Sequence, residues 1–300
     1  MGPTGSGKTS LALELYKTGH FSGIVNVDAS QAYRQVSVGV AKPSAEEVSV
    51  APHYLFGVVD CVPQSLNAAQ YRLLVESLLQ KELKQESRPP LLVGGTLFYA
   101  KSLFLKLQNL IPETDFSLAP REEGVSDWEY LKKIDPVRAD NIHPHDSYRI
   151  SRALEIYSTT GCLPSLAAPL YDPVFSESLV IWVALPDPLL RSQITKRVGF
   201  MLDQGWIEEV ESFMGTEWEV FARDGFALGY DDVYAWIKAG KNVASFEGLS
   251  SAIAAKTWTY ARRQKIFWGS LKKHLSDCKD VTIVESSPQD VSRAVLDWLI

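Results

Sequence analysis

Apolar positions along this chain fall into two rhythms. Leu11, Leu13, Leu15 and Tyr16 stand in a polar background over Thr9 to Lys17, and Tyr71, Leu74, Leu78 and Leu79 recur over Asn67 to Glu86, where Pro89-Pro90 ends the run. Both spacings predict helices with one buried stripe. Short apolar runs alternate with them: Gly23-Ile24-Val25-Asn26-Val27-Asp28, then Tyr54 to Val59, then Leu91-Leu92-Val93 leading into Gly94-Gly95-Thr96. Runs of this kind suit strands covered on both faces, so they predict a parallel sheet, with a further helix from Leu97 to about Leu107.

From Pro112 to Glu177 the pattern changes to helices and loops without a convincing strand. Leu179 to Leu185 resumes the sheet, Asp187 to Leu271 reads as helical, Val281 to Glu285 as a last strand and Pro288 to Ile300 as a last helix. A segment bracketed by sheet strands is an insertion. The predicted organisation is an α/β core over residues 1–111 and 178–300, carrying an inserted helical subdomain at 112–177.

The glycine-rich start of the chain specifies which α/β core this is. Gly2-Pro3-Thr4-Gly5-Ser6-Gly7-Lys8-Thr9 completes the pattern G-x-x-x-x-G-K-[ST] ahead of a helix. In such a phosphate loop the glycines let successive amides face an anion at a helix N-terminus, the lysine adds a point charge, and the hydroxyl of Thr9 is placed to ligate Mg²⁺. The fold predicted is therefore a P-loop NTPase-like parallel sheet flanked by helices. Right-handed crossovers bring its strand ends to one edge, where the loop, Asp28 and Gly94-Gly95-Thr96 should converge. A phosphate loop ordinarily hangs from a buried strand, so an apolar strand of about five or six residues is expected ahead of Gly2.

Composition narrows the class further. The 300 residues are 46% hydrophobic and 22% charged, as in a soluble globular chain, and no apolar run reaches membrane-spanning length. Met1 runs straight into the loop, so no secretory leader is expected, and Cys61, Cys162 and Cys278 are scattered and odd in number. A reducing cytoplasm fits. His143 and His145 flank Pro144 without a nearby Cys, which favours a helix-entry role over metal ligation. A net charge of −6 argues against a general nucleic-acid binder but leaves room for a local basic face. Lys256 to Lys273 is such a stretch, with six basic residues, no acidic one, and Trp258, Tyr260, Phe267 and Trp268 interleaved.

Asp28 itself permits two readings, a Walker-B-type Mg²⁺ ligand or a general base. The residues around it bear on the choice. Asp28-Ala29-Ser30-Gln31-Ala32-Tyr33-Arg34, Gly39-Val40-Ala41-Lys42-Pro43 and Pro52-His53-Tyr54-Leu55 follow one another, then Leu92-Val93-Gly94-Gly95-Thr96-Leu97-Phe98-Tyr99, then Ile142 to Tyr157, Met201 to Val210, Leu228-Gly229-Tyr230 and Thr257 to Trp268. In this order, and over nearly the whole chain, they resemble the tRNA dimethylallyltransferase family (tRNA isopentenyltransferases).

The resemblance implies transfer of a dimethylallyl group from dimethylallyl diphosphate to N6 of the adenosine just 3′ of the anticodon, in tRNAs reading codons that begin with U. The phosphate loop, Gly2 to Thr9, would hold the donor's diphosphate, with Thr9 on Mg²⁺. Asp28 would take the N6 proton, and Arg197 would be a second cation on the diphosphate. Thr96 joins the catalytic set. Contacts to the tRNA anticodon stem-loop would come from Asp28, Ala29, Ser30, Gln31 and Thr96, from Tyr148, Arg149, Ile150, Ser151 and Arg152, and from Leu228, Gly229 and Tyr230. Tyr33, Phe98 and Tyr99 are candidates for the apolar tail of the donor. The protein is expected to be a cytoplasmic monomer.

Departures from the family pattern are Val40 for Thr, Asp231 for Arg or Lys, Trp258 for Arg, and a displaced arginine whose nearest candidate is Arg121. The competing readings are an adenylate isopentenyltransferase acting on a free nucleotide, a P-loop kinase or ATPase that binds ATP, and a weakened paralogue that only binds tRNA. Arg149 and Arg152 count against the first. A third strand ending in Gly94-Gly95 rather than a carboxylate counts against the second.

Overall fold

The computed structural model of the chain describes residues 1–60, 66–107, 121, 124–166, 169–242 and 245–299. Cys61 and the boundary expected at 111/112 lie outside them. The chain divides into two compact units, residues 1–103 with 174–300, and residues 104–173.

In the larger unit the phosphate loop opens α1 (Lys8–Lys17), followed by β1 (Ile24–Asn26), α2 (Ala45–Val50), β2 (His53–Tyr54), α3 (Ala68–Lys81), β3 (Leu91–Val93) and α4 (Leu97–Phe104). β1 lies between β2 and β3, both parallel to it, with Ile24 opposite His53 on one side and Leu91 on the other. Ser44 with Glu47 and Asn67 with Gln70 form reciprocal capping boxes that start α2 and α3. The smaller unit holds β4 (Leu105–Leu107), α5 (Asp127–Ile134), α6 (Pro136–Asp140), α7 (Ser147–Thr160) and β5 (Pro169–Tyr171). Its core is Leu131, Ala139, Ile142, Ile150 and Ala153.

The larger unit resumes with β6 (Ser178–Val183), then α8 (Asp187–Asp203), α9 (Trp206–Phe213), α10 (Glu219–Arg223), α11 (Tyr230–Lys238), the 30-residue α12 (Phe246–Leu275), β7 (Val281–Ser286) and α13 (Val291–Leu299). β6 and β7 pair in parallel from Ser178–Val281 to Val183–Ser286. Met1 lies against β6, donating from N to Ile181 O and accepting from Val183 N, both at 2.8 Å. The largest core joins Trp206, Phe213, Trp218, Phe221 and Tyr230 to Ile253 and to Tyr33, Val36 and Val40.

Three expectations need correction. The run Tyr54 to Val59 is a strand only at His53–Tyr54, because Leu55 and Gly57 take φ of +63° and +61° and turn the chain away; Val59 returns as a single bridge to Tyr33. The helix begun at Leu97 stops at Phe104, and Leu105–Leu107 pairs antiparallel with Pro169–Tyr171, so the segment expected to lack strands contributes one. That pairing joins residues more than sixty positions apart and leaves no local periodicity to read. Among the described residues the parallel strands also form two sheets, β2-β1-β3 and β6-β7, rather than one.

Close approach fixes the end of β3. A Cβ on Gly94 would lie 2.1 Å from Val27 O, a backbone atom that cannot swing aside, whereas one on Gly269 in α12 would meet nothing within 4 Å. Gly94→Ala is expected to cost about 3 kcal/mol by overpacking, and Gly269→Ala to add about 0.5–1 kcal/mol through helix propensity. Urea unfolding of both variants checks the contrast, and equal midpoints would contradict it.

Candidate active site

The phosphate loop takes its shape from two glycines and its position from a helix. Gly5 and Gly7 have φ of +79° and +82°, a region that L side chains avoid. A Cβ on Gly5 would meet Ile194 at 2.9 Å and Leu190 at 3.6 Å, so the apolar stripe of α8 packs directly beneath the loop. Arg197, three residues after Ile194, shares that face of the helix. Lys8 Nζ donates to Pro3 O at 2.7 Å.

The charges of these groups act on one another. Lys8 is lowered to about 7, first by burial and then by the positive charge of Arg197, while Asp28 opposes both. Burial likewise lowers Arg197, again opposed by Asp28. Each cation thus feels the charge of the same carboxylate.

Asp28 is held from both sides of its peptide. Asn26, only 1% exposed at the end of β1, accepts from Asp28 N at 2.8 Å and donates to Asp28 O at 2.9 Å and Leu55 O at 3.1 Å. Ser30 donates from N at 3.1 Å and from Oγ at 2.6 Å to Asp28 Oδ1, fixing the carboxylate through that oxygen. Thr96 completes the edge, accepting from Ala29 N at 3.0 Å while its own N donates to Val27 O. The loop, Lys8, Asp28, Thr96 and Arg197 therefore gather at one place, as the strand order implied.

Two α12 residues join them that sequence reasoning gave no role there. Tyr260 is raised by desolvation and then by the charge of Asp28, while contacts from Thr96 and Gln264 oppose the rise. Gln264 is 5% exposed and bonds to both Thr4 N and Gly95 O. The available signal was a glutamine inside the buried stripe Ala261, Gln264, Trp268, Leu271, Leu275.

Other sequence candidates fall elsewhere. Tyr33 packs edge-on against Trp218 and Phe221, Tyr99 stacks on Tyr71 at 4.3 Å, and Phe98 is 59% exposed, so these three do not line one apolar pocket. Gln31 donates from Nε2 to Val40 O and Ala41 O, bracing the loop that follows. Tyr230 is fully buried with its hydroxyl on Glu209, and Ile150 lies in the core of the smaller unit, which removes both side chains from any RNA-facing role. Gly229 has φ of +91° at the start of α11, beside half-buried Leu228. In the smaller unit Tyr148, Arg149, Ser151 and Arg152 are exposed on α7, where Arg149 pairs with Asp146 and Arg152 with Glu155.

The basic stretch of α12 divides by partner. Lys256 pairs with Asp231 and Asp232, Lys265 with Asp187 and Lys272 with Glu285, while Arg262, Arg263 and Lys273 are exposed. Asp231, the departure from Arg or Lys, is thus matched by Lys256. The two tryptophans of the stretch turn inward, Trp268 stacking on Trp182 at 5.0 Å and Trp258 packing against Leu190, Ile194 and Ala261, whereas Tyr260 is 36% exposed. Arg121 pairs with Asp127 in the smaller unit.

A glycine-rich loop at a helix start, a parallel sheet whose ends meet it, and paired cations beside a fixed carboxylate define a protein of the P-loop α/β class. The family model described as IPP transferase matches residues 31–270, and the chain belongs to that family. The tRNA dimethylallyltransferases of Legionella pneumophila strains Paris and Corby are each 39% identical to it over 229 residues, covering 73% of this chain and 72% of theirs. Among solved structures, a tRNA isopentenylpyrophosphate transferase from Bacillus halodurans aligns over 99% of this chain and 94% of its own at 24% identity and TM-score 0.61. A eukaryotic dimethylallyltransferase acting on tRNA aligns over 99% and 76% at 22% identity and TM-score 0.73.

The lowered Lys8 gives the site a pH signature. An anion at the loop favours charged lysine, so binding takes up protons above pH 7 and affinity falls as the pH rises from there. Titration calorimetry with inorganic diphosphate from pH 7 to 9 should show this loss, approaching tenfold per pH unit at most. Lys8→Arg, whose guanidinium stays charged, should flatten the slope. Equal slopes in the two proteins would show that Lys8 does not titrate in this range.

Proposed function

We propose that this protein transfers a dimethylallyl group from dimethylallyl diphosphate to N6 of the adenosine 3′-adjacent to the anticodon, in tRNAs reading codons that begin with U. The observation that carries the reading is Asp28, its Oδ1 held by Ser30 and its charge acting on both Lys8 and Arg197. As N6 attacks the allylic carbon, a C–N bond forms and the C–O bond to diphosphate breaks. The N6 proton passes to Asp28 Oδ2, and the leaving diphosphate is met by Lys8, Arg197 and the loop amides.

Family membership supports the tRNA substrate, and the exposed Tyr148, Arg149, Ser151 and Arg152 of α7, together with backbone at 28–31, 96 and 228–229, are the proposed contacts. An exocyclic amine within a stacked loop must be turned out of the stack to reach a carboxylate. Mg²⁺ fits the site in one way: among the described residues no three His, Cys, Asp or Glu side chains cluster, so Thr9 and the diphosphate oxygens would hold it. When bound it would offset charge on the leaving group. The prenyl donor is favoured over ATP because β3 ends in Gly94-Gly95, without the carboxylate a nucleotide hydrolase would place there. A cytoplasmic monomer is proposed with it; among the described residues no helix is long and apolar enough to cross a membrane.

Asp28→Asn is expected to retain diphosphate affinity and to lower the single-turnover rate at saturating donor by about 10²-fold or more. A near-wild-type rate would remove Asp28 from the mechanism. In competition calorimetry with Mg²⁺, dimethylallyl diphosphate should displace ATP, and tighter ATP binding with phosphate release would favour the kinase or ATPase reading instead.

A further inference from the structure

One side chain spans the two halves of the site. Gln264 Oε1 accepts from Thr4 N in the phosphate loop at 2.9 Å, and Gln264 Nε2 donates to Gly95 O after β3 at 2.8 Å. These bonds reach across 260 and 169 residues of sequence. The amide lies close over the glycine, since a Cβ on Gly95 would stand 2.5 Å from Nε2. No strand bonding joins β3 to β6 among the described residues, so the loop beside β6 and the turn after β3 are not registered by a common sheet. Thr96, next in the chain, continues the connection to Ala29 N and so to Asp28.

We propose that Gln264 is a positioning residue: it holds the phosphate loop in register with the Gly95-Thr96 turn, and so fixes the diphosphate relative to the carboxylate that receives the proton. The inference rests on the reading of the loop as the diphosphate site. Gln264 sits in Arg262-Arg263-Gln264, where an RNA contact is the obvious alternative, yet both arginines are exposed and the glutamine is buried with its donor and acceptor engaged inside the protein. A buried amide that satisfies two backbone groups leaves both unpaired when it is removed.

The test compares wild type, Lys8→Ala, Gln264→Met and Gln264→Glu by calorimetry with inorganic diphosphate and Mg²⁺, by binding to a tRNA transcript, and by thermal melting. Gln264→Met keeps the volume without the hydrogen bonds; Gln264→Glu keeps the acceptor and loses the donor to Gly95 O. In whichever variant folds, diphosphate affinity should weaken about tenfold, the scale of one net buried hydrogen bond, with tRNA affinity unchanged. Rescue is not expected from Glu, because both arms of the clamp are needed. Wild-type diphosphate affinity in a folded Gln264 variant, with or without a lowered melting temperature, would overturn the inference, and so would a selective loss of tRNA affinity. If Lys8→Ala also binds diphosphate as wild type does, it is the reading of the loop that fails.

Discussion

Lys8 and Arg197 are two positive groups drawn out of water, and Asp28 is the carboxylate whose charge opposes the lowering of both. Desolvation lowers each cation toward its neutral form, and the charge of Arg197 lowers Lys8 further. A fold that keeps them there must hold the loop before α1, the turn after β1 and α8 in register, with the turn after β3 beside them. In the proposed reaction a polyanion would offset the cost of desolvating these cations, so the same arrangement would favour a diphosphate leaving group.

The means of enforcement are buried polar side chains rather than a continuous sheet. Asn26 ties Asp28 to the loop after β2, Tyr71 caps Asn26 O with its hydroxyl at 2.9 Å, Thr96 ties Ala29 to the end of β3, and Gln264 ties that end to the phosphate loop. Each replaces a backbone group's water with a specific partner, and in a low-dielectric setting such bonds fix geometry more firmly than apolar contact does. Beneath them, the Leu190–Ile194 stripe of α8 and the approach of Gly94 to Val27 leave little room for the loops to shift.

Much of this was legible in the sequence because it depends on local pattern. The phosphate loop is a contiguous motif, Asp28 and Gly94-Gly95-Thr96 close apolar runs, and parallel topology brings such ends together. What escaped depends on partners distant in sequence. β5 exists because Leu105–Leu107 pairs with it, and the sheet divides where β3 and β6 do not bond. Tyr33 and Tyr99 looked like lining for an apolar tail, yet each ring found a core neighbour instead, as aromatic residues beside a site commonly do. Tyr230 belonged to a motif that suggested RNA contact, but its hydroxyl serves Glu209, whose carboxylate also takes the amides of Ser37, Val38 and Gly39. Gln264 carried a sequence signal of its own, a polar residue in an apolar stripe, but its partners lie at the other end of the chain.

The most direct measurement is mass spectrometry of nucleosides and anticodon-loop fragments from tRNA incubated with the purified protein, dimethylallyl diphosphate and Mg²⁺. The proposed function predicts N6-dimethylallyladenosine at the position 3′ of the anticodon, in tRNAs reading codons that begin with U. Unmodified tRNA accompanied by phosphate release from ATP, or prenylation of free adenine nucleotide in its place, would contradict it.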